Sequence, residues 1–157
     1  MQEVRTERLV GTRPLLRDAD ELHPLIPWGL TLAQTRTLLV RDADHWKRHR
    51  FGVWILRDTV PGPVIGRAGL QRLDEDEVEL QWLLAPDHWG RGLATEFARC
   101  CVDHAFGPLG LTELTAKTQP ANGRSLAVMK RLGMTYAGEL EHAGSRHVRY
   151  RLTNAAS

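Results

Sequence analysis

Long apolar runs are missing from this chain. None approaches the ~18 residues that a membrane span requires. The opening stretch Met1-Gln2-Glu3-Val4-Arg5-Thr6-Glu7 carries charge where a secretion signal would carry an apolar core. The expected location is therefore cytoplasmic. Cysteine is nearly absent: Cys100 and Cys101 are the two present. Neighbours on a helix point about 100° apart, which makes them poor disulfide partners. No Cys-x-x-Cys pair exists, so neither a zinc ribbon nor a redox motif is available. The pair reads as small buried hydrophobes. An excess of one charge sign is missing too, since the net charge is +2, too small for a nucleic-acid footprint. The densest basic stretch, His45 to Arg50, reads as a solvated helix face. His45 and His49 are four apart, but no third ligand or Glu follows in a metalloenzyme pattern, so no metal is expected. No Gly-x-x-x-x-Gly-Lys-Ser/Thr string occurs, which excludes a Walker loop.

What is present is ordinary globular material, 42% apolar and 25% charged over 157 residues. This suits a single domain, residues 1–157, burying about two-thirds of its unfolded surface. Thr6 to Leu16 supplies a first strand. Asp18 is an N-cap for a short helix ending near Pro24, and Pro24, Pro27 and Gly29 break the chain around Trp28. Thr31 to Arg50 has helical spacing, with Leu32, Leu39 and Trp46 recurring every seven residues. Phe51 to Leu56, Val64 to Leu70 and Glu77 to Leu84 then form an antiparallel meander. In the last of these, Val78, Leu80, Trp82 and Leu84 face one way while Glu79 and Gln81 face the other. Leu93 to Phe106 is a helix, Leu111 to Thr118 a strand, and Asn122 to Leu132 a helix closed by Gly133. Tyr136 to Leu140 and Arg146 to Leu152 are the last strands. The order predicts an α/β (α+β) fold, a mixed sheet with helices on its faces.

The junction after Leu84 carries the chemistry. A strand ends, Pro86 breaks pairing, and Gly90-Arg91-Gly92 opens a helix. Glycines let backbone amides turn toward a common point, and the helix N-terminus adds partial positive charge. Together they suit a diphosphate; a turn that merely starts a helix is the plainer alternative. A dinucleotide fingerprint needs a third small residue where Thr95 stands and several βα units downstream, for which too little chain remains.

The stretch Trp82-Leu83-Leu84-Ala85-Pro86-Asp87-His88-Trp89-Gly90-Arg91-Gly92-Leu93-Ala94-Thr95-Glu96 resembles the acetyl-CoA loop of the GNAT superfamily of N-acetyltransferases. It is most similar to the branch related to ribosomal-protein N-terminal acetyltransferases. The second signature of that branch is matched by Asn122-Gly123-Arg124-Ser125 through Leu132-Gly133-Met134. The resemblance implies a mixed, mostly antiparallel central sheet flanked by helices on both faces. It also implies that the Glu77–Leu84 strand splays from Leu111–Thr118 to admit a pantetheine arm against the backbone of Leu83 and Leu84. An amide of Leu84 or its neighbour would polarise the thioester carbonyl. The diphosphate would lie on the amides of Trp89, Gly90, Arg91, Gly92, Leu93 and Ala94, with Thr95 beside it.

Acetyl-CoA is the implied co-substrate, a primary amine the implied acceptor, and homodimers are common in the family. Three positions depart from the pattern. Trp89 replaces the Arg or Gln of the wider superfamily, and Gln81 stands where the branch often has Gly. Met129 stands where many members carry a proton-donating Tyr, and a thioether cannot donate. Glu79 is the candidate base, the alternative being an exposed strand glutamate. Asn122 and Ser125 are candidates for cofactor contact, and Ser125 for proton donation; a helix cap explains them equally well. Trp28 and Trp46 are candidates for the acceptor pocket, buried aromatics being the plainer alternative. The implied function is acetyl transfer from acetyl-CoA to an amine by direct attack. A non-catalytic acyl-CoA-binding module and a transferase using another acyl-CoA are the rivals.

Overall fold

Strand alternation decides which face each helix covers. A computed structural model describes residues 2–154. Strand β3 (Val53–Arg57) sends Ile55 to one side of the sheet and Trp54 and Leu56 to the other. Ile55 packs with Ala19 and Leu22 of α1 (Ala19–Leu22) and Leu39 of α2 (Leu32–His49). Trp54 and Leu56 pack with Phe97, Ala98, Cys101 and Ala105 of α3 (Leu93–Phe106), joined by Leu70, Val78 and Leu80. Both clusters are buried, so the sheet is covered on two faces, as expected. A third cluster, Ala116, Met129 and Met134, seats α4 (Gly123–Arg131).

The remaining strands are β1 (Glu3–Arg5), β2 (Val10–Thr12), β4 (Gly66–Arg72), β5 (Val78–Leu84), β6 (Glu113–Thr118), β7 (Thr135–His142) and β8 (Ser145–Thr153). They form one sheet in the order β1-β2-β3-β4-β5-β6-β8-β7. Every pairing is antiparallel except β5 with β6.

Local chemistry explains where elements begin and end. Helix α2 starts at a reciprocal cap: the Gln34 amide donates to Thr31 Oγ1 at 3.1 Å, and the Thr31 amide donates to Gln34 Oε1 at 2.8 Å. It ends at Arg50, whose left-handed backbone (φ 62) returns its amide to the Trp46 carbonyl. Helix α3 occupies the span that its periodicity predicts.

Three expectations need correction. The single first strand over Thr6 to Leu16 is instead the hairpin β1–β2. The Thr6 amide donates to the Leu9 carbonyl at 2.9 Å, and the Leu9 amide to Thr6 Oγ1 at 3.2 Å, so the chain folds back where an extended run was expected. Asp18 makes no side-chain cap for α1. Its buried carboxylate accepts from the Leu15 amide at 3.0 Å and from Arg57 at 2.9 Å, and a short 3-10 turn, Leu16–Asp18, precedes the helix. The first two strands of the meander begin two residues later than expected, at Val53 and Gly66, and the third one residue later, at Val78. Phe51 and Val64 are core residues outside the ladder.

Candidate active site

The parallel pair β5–β6 is the break in an otherwise continuous antiparallel sheet. It is joined in register at a single position, Glu79 opposite Thr115. Beyond that position β5 keeps β4 along one edge, from Leu80 opposite Leu70 to Leu84 opposite Gly66. Its other edge faces the gap toward β6; the backbone groups of Leu84 lie along it, whereas those of Leu83, expected there as well, are turned to β4 opposite Arg67.

The glycine turn sits at the end of this gap. Gly90 has φ 75 and Gly92 has φ 74, the left-handed region that non-glycine residues rarely adopt. A Cβ on Gly90 would meet nothing within 4 Å, and one on Gly92 only Arg8 Nη2 at 3.7 Å. Packing does not require glycine here. The backbone conformation does, and the turn is left open on its outer side. Gly92 is the N-cap of α3 and offers no side-chain acceptor to the first-turn amides. Thr95 Oγ1, in that same turn, is one of three buried side-chain polar atoms without a partner among the described residues. An anion seated at the turn would complement these amides and the helix dipole. The residues present fit a diphosphate.

The turn is braced from the β1–β2 hairpin. Arg8 Nε donates to Glu96 Oε1 at 2.7 Å, Arg8 Nη1 to the Arg91 carbonyl at 2.8 Å, and Thr6 Oγ1 to Glu96 Oε2 at 2.6 Å. Burial alone would raise the Glu96 pKa. The bonds from Thr6 and from the Arg8 amide and guanidinium, together with the Arg8 charge, outweigh it and hold the carboxyl below its ordinary value.

Trp89 bridges the mouth of the gap. Its Nε1 donates to the Leu84 carbonyl at 3.0 Å, and the Arg124 guanidinium lies 3.4 Å over its ring. That contact ties the turn to the start of α4. Nothing in the local sequence around Arg124 distinguishes it; only the fold brings it to Trp89.

Glu79 is not an exposed strand glutamate. It is 4% exposed, at the point where the strands part. Its Oε1 accepts from Gln81 Nε2 at 2.8 Å, and its Oε2 accepts from the ammonium of Lys117 on β6. Gln81 Oε1 in turn accepts from Arg67 at 3.0 Å, and Arg67 is paired bidentately with Asp42 of α2 at 2.7 and 2.8 Å. A polar chain thus runs beneath α2 from Asp42 to Lys117. Gln81 is a link in it, which accounts for an amide where the related branch often has Gly. Alongside, Thr115 Oγ1 donates to Glu77 Oε2 at 2.7 Å. Lys117 is a residue that sequence reasoning missed, because its partner lies 38 residues away.

The other expected residues fall as follows. Asn122 caps α4, its Oδ1 accepting from the Ser125 amide at 3.2 Å. Met129 is fully buried against Ala116 and Met134, so no proton donor stands at that position. Trp28 is 56% exposed in the segment before α2. Trp46 is core: its Nε1 donates to the Val53 carbonyl at 2.7 Å, and its ring lies 4.6 Å from that of Trp54. His45 has both ring nitrogens engaged, Nδ1 with the Phe51 carbonyl and Nε2 with the Arg72 amide. Burial first, and the nearby His49 second, hold its pKa below the ordinary value. It is a structural histidine. Among the described residues no group of three His, Cys, Asp or Glu is placed to hold a metal ion.

A family model for the acetyltransferase (GNAT) domain matches residues 7–135, and the chain belongs to that family. It is 29% identical to the acetyltransferase from Agrobacterium tumefaciens str. C58, with TM-score 0.83 over 98% of this chain and 95% of that one. YkkB of Bacillus subtilis (strain 168), an uncharacterized protein, is 31% identical over 107 residues, or 66% of this chain and 62% of its own length. The microcin C7 self-immunity acetyltransferase MccE, solved in complex with acetyl-CoA and AMP, shares the fold at TM-score 0.76 and 16% identity over 94% of this chain and 93% of that one. No described helix is long and apolar enough to cross a membrane.

Proposed function

We propose that the chain is an N-acetyltransferase that takes the acetyl group of acetyl-CoA and places it on a primary amine. The observation that carries this reading is the parting of β5 from β6 after Glu79 and Thr115, with the Gly90–Gly92 turn at its end. The backbone of Leu84 pairs with the pantetheine arm, and an amide there polarises the thioester carbonyl. The amides from Trp89 to Ala94 hold the diphosphate, with Thr95 beside them. Asn122 and Ser125 lie on the far side of the gap and contact the pantetheine amide and the thiol end. Bound acetyl-CoA supplies an activated acyl group; the chain positions it and handles the proton. Glu79 accepts that proton from the attacking amine, directly or through water. Its two oxygens each accept one bond from the chain, and a carboxylate oxygen has room for a second. Trp28 borders the acceptor site.

A second reading is favoured by Met129, buried at the position where related enzymes place a proton donor. On that reading the domain binds acyl-CoA without turning it over. Thiol release from acetyl-CoA across a panel of amino acids, polyamines, aminoglycosides and peptide N-termini separates the two. Release with one class supports transfer; tight binding with no release across the panel supports the binding module. Repeating the positive case with longer acyl chains settles the donor.

A further inference from the structure

The chain has three lysines, Lys47, Lys117 and Lys130. Lys47 and Lys130 are exposed on α2 and α4. Among the described residues, every ion pair is made by arginine except His88 with Asp58 and Lys117 with Glu79. The nearby acidic residue Glu77 is met by Arg149, and Asp42 in the same polar chain by Arg67. In this network lysine stands at the contact with Glu79, on the strand that walls the gap. The difference is chemical: a guanidinium stays protonated and is no nucleophile, whereas an ammonium that loses its proton becomes an amine.

We propose that Lys117 is an internal acetyl acceptor, modified by the acetyl-CoA that the same chain binds. The inference rests on the function proposed above. Lys117 Nζ already donates to Glu79 Oε2, so the base that serves an external amine is in contact with this one. The side chain is 16% exposed and comes from β6, the strand that forms the far wall of the gap. In the step, Glu79 takes one proton from the Lys117 ammonium. The freed Nζ pair forms the bond to the acetyl carbon, and the carbon–sulfur bond breaks. The sulfur leaves with the electrons of the broken carbon–sulfur bond as CoA thiolate; the second Nζ proton is lost to solvent as the amide forms, and solvent returns one to the thiolate. No other reactant is required. The product has no positive charge at residue 117, and once Glu79 has passed the proton it took to solvent, its carboxylate stands at the gap without a cationic partner. The carboxylate is then free to receive the ammonium of an external acceptor.

The test uses the full chain with acetyl-CoA and no added amine, read by intact mass and peptide mapping, while calorimetry reads cofactor binding separately. The expected result is one acetyl group on the peptide containing Lys117. It should form roughly 10²-fold faster than on Lys47 or Lys130, the scale of base assistance. The rate constant should not change on dilution, because donor and acceptor share one chain. Lys117→Arg should remove the modification while keeping the cation beside Glu79, its melting temperature confirming the fold. Glu79→Gln should slow it by a comparable factor with acetyl-CoA still bound. If acetyl-CoA binds and Lys117 stays unmodified, or all three lysines are acetylated at similar rates, the proposal is overturned and the Lys117–Glu79 contact is an ion pair only. If acetyl-CoA does not bind, the cofactor reading itself fails.

Discussion

Replacing Gly92 with valine separates a turn that starts a helix from a turn that holds a ligand. The backbone at residue 92 has φ 74, and a new Cβ would meet only the end of Arg8, at 3.7 Å. The folded-state cost is therefore backbone strain, about 1–2 kcal/mol for a side chain in the left-handed region. Gly133, which follows α4, has φ 83 and open space around its missing Cβ, so Gly133→Val has nearly the same cost. The two variants should lose similar stability in urea denaturation. Binding should part them. If the Gly92 turn presents two amides to a diphosphate, the valine side chain forfeits two bonds to a charged group, at about 1.5–3 kcal/mol each. At about 1.4 kcal/mol per factor of ten, this weakens CoA by roughly 10²- to 10⁴-fold. Gly133→Val should bind CoA as the parent does, measured by calorimetry at a temperature where both variants are folded. Equal CoA affinity in the two variants refutes the reasoning and leaves Gly90-Arg91-Gly92 as a helix start only.

CoA at 100 times its dissociation constant should add about 2.7 kcal/mol of stability. That is a rise of roughly 5–10 °C in melting temperature for a domain this size; NAD and ATP should do much less, and no shift at millimolar CoA removes the cofactor reading. Glu79→Gln should retain CoA affinity and lower turnover roughly 10²-fold, the usual scale for a lost general base. The deficit should shrink as pH rises and more of the amine is already neutral, while an unchanged rate across the pH profile makes Glu79 a structural partner of Lys117. Glu96→Gln tests the brace: the folded-state pKa of Glu96 is depressed, so its contribution to stability is present above the ordinary value near 4.5 and is lost as pH falls below it. The stability gap between parent and variant should therefore narrow as pH falls through 4.5 and below in urea melts; a gap independent of pH rules out the carboxylate charge as its source.

Much of the fold was legible because its causes are local. The α3 span follows from an apolar stripe recurring at helical spacing, and the α2 span from Leu32, Leu39 and Trp46 recurring every seven residues. The strand that carries Glu79 follows from two-residue alternation. Where a distant partner intervened, local reading failed. Asp18 looks like a cap, yet Arg57, 39 residues on, engages its carboxylate. Thr6 looks like strand, yet its hydroxyl closes a turn and then reaches Glu96.

The glycine turn was legible in the sequence alone, since two glycines flanking one residue ahead of a helical stripe mark a turn, and Gly90 and Gly92 hold a backbone that other residues rarely adopt. The anion site proposed for the loop rests on that conformation and on the helix after it. The state of the candidate base was decided only by tertiary structure. From the chain, Glu79 is one polar residue in an alternating strand, with Glu77 two positions away in the same pattern. Its burial, its bond from Gln81 and its contact with Lys117 depend on β5 and β6 lying parallel and meeting at one residue pair. Arg124 over Trp89 and Arg8 on Glu96 likewise need the sheet order before they can meet. Conformation at a glycine is set within a few bonds, whereas the partner of a charge is set by register and strand order, which neither residue encodes by itself.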